Sequence, residues 1–130
     1  MANKLAANSK VRKGEGLAKA GRIEEAIALF QEALRLDPSV DLDPSTPEIE
    51  QDAGAIAYKF FALTKVREGE GLAREGEIEE AIALFQEALR LDPSVDLDPW
   101  TEELEQDAGA IANKFAEIGP SPFPVFSSPR

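Results

Sequence analysis

The sequence predicts an all-α fold, a tandem array of helix–turn–helix repeats with one extended long helix, on the strength of three observations. A long stretch recurs at a fixed offset of 55 residues. Apolar residues inside the repeat return at spacings of three and four, the period of a single helix face. No segment alternates with the period of two that marks a half-buried strand.

The repeat is close to literal. Val-Arg-Lys-Gly-Glu-Gly-Leu-Ala at 11–18 returns as Val-Arg-Glu-Gly-Glu-Gly-Leu-Ala at 66–73, and pairing 11–63 with 66–118 leaves 42 of 53 positions identical. Some matches, such as Gln31/Gln86 and Arg35/Arg90, fall where a helix should face solvent, and packing alone would not hold them fixed. Recent duplication or deliberate construction accounts for them more simply than function does. The organisation that follows is two repeats, 11–65 and 66–118, with 1–10 as a partial preceding repeat and 119–130 as a proline-rich tail.

Five helices are expected, at roughly 3–20, 22–36, 46–75, 77–91 and 101–118. The second rests on Ile23, Ala26, Ile27, Phe30, Ala33 and Leu34, which share one face. Gly21 turns the chain before it. Asp37-Pro38 ends it, because proline pushes the preceding residue out of helical geometry. The third is expected to start at Ser45-Thr46-Pro47-Glu48, which offers a hydroxyl cap, proline in the first turn and glutamate toward the helix dipole. Its apolar stripe is Ile49, Ala53, Ile56, Phe60 and Leu63, and it runs to Gly76 with its poorest helix formers at Gly69 and Gly71. The fourth and fifth repeat the second and third. Short turns at 21 and 76 should make antiparallel hairpins. Tyr58, Phe60 and Phe61 read as core, and Trp100, which replaces Ser45, as a cover for an open end of the stack.

Composition narrows the function. The net charge of −11 argues against nucleic acid, since phosphate binding needs a clustered positive surface. The charge is uneven: residues 1–55 carry seven Lys/Arg against ten Asp/Glu, and residues 56–112 carry five against fourteen. With no cysteine and no histidine, disulfides, thiolate nucleophiles and imidazole chemistry are excluded. No signal peptide and no membrane-spanning run is recognised, so a cytoplasmic location without membrane contact is expected.

No catalytic residue, cofactor or metal site is expected. Asp37, Asp41 and Asp43, with their copies Asp92, Asp96 and Asp98, bring carboxylates into short loops, but without the spacing or glycine of a calcium loop. They read as turn and cap residues. The Gly14-Glu15-Gly16 and Gly69-Glu70-Gly71 triplets lack the Lys-Ser/Thr of a phosphate loop and lie inside helices.

The repeat resembles the tetratricopeptide family. Gly14, Leu17, Gly21, Ile23, Ala26, Phe30, Ala33 and Pro38 follow its 34-residue pattern in order and spacing, and Gly69, Leu72, Gly76, Ile78, Ala81, Phe85, Ala88 and Pro93 follow it again. The departure is the period, twenty-one residues longer, which is assigned here to a backward extension of the first helix of each hairpin. The resemblance implies a non-enzymatic scaffold that binds a protein or peptide. It places partner contacts at Val11, Glu15 and Lys19, and at Val66, Glu70 and Arg74. The Lys/Asn set that clamps peptide carboxylates in chaperone-binding relatives is absent.

Self-association is the alternative, a structural repeat unit with no external ligand. Asn3-Lys4 returns as Asn113-Lys114, so the sequence begins and ends at one phase of the repeat. Apolar surface is then expected near Leu5 and Leu17, and near Leu104, Ile111, Phe115 and Ile118. Lys4, Lys10, Lys13 and Lys19 should favour approach to the acidic second repeat. A homo-oligomer, with a closed dimer as the favoured form, is expected.

Overall fold

A computed structural model describes residues 3–119, and the described residues form five α-helices. They are α1 (Lys4–Lys19), α2 (Ile23–Leu36), α3 (Ala53–Arg74), α4 (Ile78–Leu91) and α5 (Ala108–Ile118). Two compact units divide between Thr64 and Lys65, inside α3.

In the first unit α1 packs along α2. Asn3 caps α1, its Oδ1 accepting the Ala6 N–H at 3.1 Å. The turn between the two helices needs glycine, because Gly21 lies at φ +87, in the left-handed region. There the Gly21 N–H donates to Ala18 O and the Arg22 N–H to Leu17 O, both at 2.9 Å. This is the paired closure that satisfies orphan carbonyls at a helix end. Helix α2 carries Glu24 and Glu25 in its first turn and Arg35 in its last, each matched to the macrodipole. Phe30 is fully buried and lies against the bare Cα of Gly14, where a Cβ would stand 2.6 Å from the ring. Small residues line the contact: Ala18, Ala26 and Ala33 are all buried.

The segment between α2 and α3 differs from expectation. Residues 46–52 are not helical, and α3 begins at Ala53. Its N-terminal cap is Asp52, whose Oδ1 accepts the Ala55 N–H at 3.1 Å. The hydroxyls expected to start the helix are occupied elsewhere. Ser45 Oγ donates to Asp43, while Thr46 Oγ1 donates to Asp43 O and Glu48 O. Ile49 is exposed instead of joining the apolar stripe. The chain doubles back on itself, with the Leu42 N–H donating to Glu50 O at 2.8 Å and the Glu50 N–H to Asp41 Oδ1 at 2.9 Å. Gln51 Nε2 donates across the loop to Pro38 O and Val40 O. These bonds give the loop a definite shape, and that shape drives Leu42 and Val40 into the core. Most of the added length is therefore a stapled loop with two apolar plugs.

The second unit repeats the plan from Lys65 onward. Gly76 lies at φ +90 and closes α3 as Gly21 closes α1. Phe85 sits on Gly69, with 2.7 Å between its ring and a notional Cβ. The second loop likewise starts α5 late, at Ala108 and not near 101, with Asp107 Oδ1 capping the Ala110 N–H at 3.1 Å. Among the aromatic residues assigned to the core, Phe60 is buried and Phe61 half-buried, but Tyr58 stands at the surface. Trp100, expected as a cover, is itself largely exposed.

Candidate functional site

A cleft of about 420 Å³ opens in the first unit between α1 and the stapled loop. Lys4, Asn8, Val11, Arg12 and Glu15 line it from α1, at helical spacings of three and four that put them on one face. Asp37, Ser39, Asp41 and Pro44 line it from the loop. Positive and negative groups therefore face each other, and Asn8 adds a carboxamide that can both donate and accept. Lys4 Nζ reaches Asp37 Oδ2 at 3.6 Å across the mouth. The shape and polarity suit an extended polypeptide better than an enclosed small molecule, whose pockets are mostly apolar.

Two of the three residues proposed from sequence in this unit meet at the cleft, with different exposure. Val11 is only 4% exposed and serves as floor, while Glu15 reaches the wall. Lys19 does not line the cleft. It pairs with Glu15 at 2.7 Å and lies 5.8 Å over the Phe60 ring. Lys4, Asn8 and Arg12 were missed, although the periodicity used for apolar residues finds them when applied to polar ones.

In the second unit Val66 is 1% exposed and belongs to the core, which corrects its assignment to a partner surface. Arg74 is tied on three sides. Its Nε donates to Glu70 Oε2 at 2.9 Å, a second nitrogen donates to Gly119 O at 3.3 Å, and the guanidinium lies 5.3 Å over the Phe115 ring. Glu70 also accepts the Trp100 Nε1–H at 3.2 Å.

The residues named for self-association also separate. Leu5 is 85% exposed, Leu104 60% and Ile118 49%. Ile111 and Phe115 are buried within the second unit, and Leu17 packs against the core of the first, so these three are not open apolar surface. Their place on the inward stripes of their helices explains the difference. The tail, apart from Gly119, lies outside the described residues. Among the described residues no group of three or more Asp, Glu, His or Cys is placed to hold a metal, and no helix is long and apolar enough to cross a membrane.

The loop aspartates carry the strongest electrostatics. Asp43 is almost wholly buried and its carboxylate is divided between two sets of donors. Ser45 supplies its amide and hydroxyl to Oδ1, and the Lys59 ammonium bonds Oδ2. Burial alone pushes the Asp43 carboxyl upward, but donation by Lys59 and Ser45 outweighs it, and the pKa falls below the ordinary aspartate value. Asp37 is lowered too, chiefly by the Ser39 hydroxyl and amide, then by Lys4. A depressed carboxyl pKa contributes stability that is present above the unfolded value, about 3.9, and is lost as pH falls through the folded one. The melting temperature is therefore expected to hold down to about pH 5 and drop below about pH 4. The gap between wild type and Asp43→Asn should narrow over the same interval. A gap of constant size from neutral pH to pH 3 would show that the ionised carboxylate contributes nothing. Lys114, bonded to buried Asp98, is raised instead, so its contribution is complete below about 10.5 and lost only above it.

No curated protein and no solved structure matches the chain. The family model for the tetratricopeptide repeat matches residues 7–40 and 62–95. Each matched segment holds a helical hairpin, its phenylalanine-on-glycine contact and the start of a stapled loop. Those two segments together make up more than half of the sequence, and the chain belongs to the tetratricopeptide repeat family, whose repeats generally mediate protein–protein interaction.

Proposed function

We propose that the chain is a cytoplasmic, non-enzymatic interaction scaffold of two repeats, 11–65 and 66–118, that binds an extended segment of a partner protein in the first-unit cleft. The observation that carries this reading is the facing of α1 and the stapled loop across a polar, open cleft. Asn8 can bond a peptide group in both directions, while Arg12, Glu15 and Asp41 offer both signs of charge to a partner's side chains. Peptides selected from a random display library against the whole chain provide the test. Their amide-shift footprint should centre on Asn8, Arg12 and Glu15. Asn8→Ala combined with Arg12→Ala should weaken them about tenfold or more, the loss of one or two good polar contacts. Footprints that avoid the cleft, or affinities unmoved by the double substitution, reject it.

A second reading is self-association, favoured by the exposure of Leu5, Leu104 and Ile118. Light scattering should then show at least twice the 14.1 kDa chain mass at ~50 μM, a concentration suited to micromolar association. A monomer mass at that concentration rejects it.

A further inference from the structure

Ser45 and Trp100 occupy the same place in the two loops, yet their bonds differ. Ser45 gives Asp43 Oδ1 two donors, its amide at 3.2 Å and its hydroxyl at 2.5 Å. Trp100 gives Asp98 Oδ1 only its amide, at 3.2 Å. Asp98 is as buried as Asp43, so the indole costs the second loop a hydrogen bond to a charged acceptor, a kind that contributes more than neutral ones. Burial does not repay the loss, because Trp100 is 72% exposed. A large apolar ring left mostly in water fits a binding surface better than a structural role.

The indole is held in place. Its Nε1–H donates to Glu70 Oε1 at 3.2 Å, and Glu70 is fixed in turn by Arg74 at 2.9 Å. Such anchoring lowers the ordering cost of binding. Exposed neighbours follow within the same turn of chain: Glu102, Glu103 and Leu104. The paired positions show which way this unit departs from the first. Lys13 is matched by Glu68, Arg22 by Glu77, Pro47 by Glu102 and Ser45 by Trp100. Across all the differing pairs the second repeat gains five glutamates and Trp100, while Tyr58 and Phe61 give way to Asn113 and Ala116.

We propose that Trp100 and Leu104, flanked by Glu102 and Glu103, form a docking surface for a partner protein segment in which Arg or Lys alternates with apolar residues. A guanidinium or ammonium stacks on the indole face, which attracts cations. An apolar neighbour covers Leu104, and the glutamates pair with the remaining positive charges and steer the approach. Tryptophan ranks high among residues that concentrate binding energy in interfaces. This surface belongs to the second unit and does not depend on the first-unit cleft.

Trp100 is the chain's single tryptophan, so its emission reports the site directly. The probes are twelve-residue peptides of alternating Arg and Leu, with alternating Glu and Leu as the control, titrated by fluorescence and calorimetry. The Arg peptide is expected to bind and to move the emission to shorter wavelength; the Glu peptide is not. Trp100→Ser should weaken the Arg peptide about tenfold or more while leaving the melting temperature nearly unchanged, since serine restores the second donor to Asp98 as the indole's bond to Glu70 is lost. A fall in both affinity and melting temperature would assign Trp100 a structural role and overturn the proposal. So would Trp100→Ser binding within twofold of wild type, or equal binding of the Glu peptide. Emission and mass that change with protein concentration in the absence of peptide would make a second copy the occupant, which also overturns it.

Discussion

Phe85→Ala is expected to cost about 3–5 kcal/mol, the range for truncating a fully buried phenylalanine. Phe85 has no solvent exposure, and its ring rests on the Cα of Gly69. Its surroundings cannot close over the cavity. One wall is helix backbone, and Ala81 and Ala88 on α4 are buried residues with only a methyl group to offer. The loss compares with a total stability of about 5–15 kcal/mol for a typical domain, so the second unit should lose most of its margin. A fall in melting temperature of roughly 10–20 °C follows from the usual entropy of unfolding at this size. Urea melts followed by circular dichroism measure this directly. A midpoint unchanged within error would mean that α4 does not turn Phe85 inward.

The second large effect is a change of sign within three residues of one helix. At Gly69 an added Cβ would stand 2.7 Å from the Phe85 ring, closer than a real contact allows, and the ring is fully buried. At Gly71 nothing lies within 4 Å of the same atom. Gly69→Ala is therefore expected to destabilise by about 1–3 kcal/mol, the cost of overpacking, even after the gain in helix propensity. Gly71→Ala should stabilise by about 0.5–1 kcal/mol, because alanine loses less backbone entropy on folding. Gly14 and Gly16 should show the same split, since Gly14 meets Phe30 at 2.6 Å and Gly16 meets nothing. Urea midpoints of the four single variants decide it. Two alanines of like effect would sink the assignment of one glycine to the interface and the other to solvent.

The sequence by itself determined the all-α class, the duplication, the hairpin turns and the inward faces of α2 and α4. Each of these is local. A period of three and four residues, a glycine that alone tolerates positive φ, and a proline that stops a helix act through near neighbours in the chain. The phenylalanine-on-glycine contact was legible for the same reason, since both residues sit at fixed offsets in a repeated pattern.

Only the tertiary structure decided residues 37–52 and their copies at 92–107. Ser45, Thr46, Pro47 and Glu48 satisfy every local rule for starting a helix, yet the Asp43 carboxylate and the Asp43 and Glu48 carbonyls take their hydroxyls first. Asp41 and Gln51 then fix the loop by bonds across nine to thirteen residues of chain, which no helical or strand period encodes. The cleft needed the same information, because its two walls come from α1 and from that loop. Burial settled the rest: Val11, Val66, Ile111 and Phe115 are apolar residues on inward stripes, while Trp100 and Leu104 sit on a loop whose own hydrogen bonds leave no core for them to enter. A local pattern sets which face of a helix is apolar. Whether a side chain between helices meets core or water depends on the bonds that fold its loop.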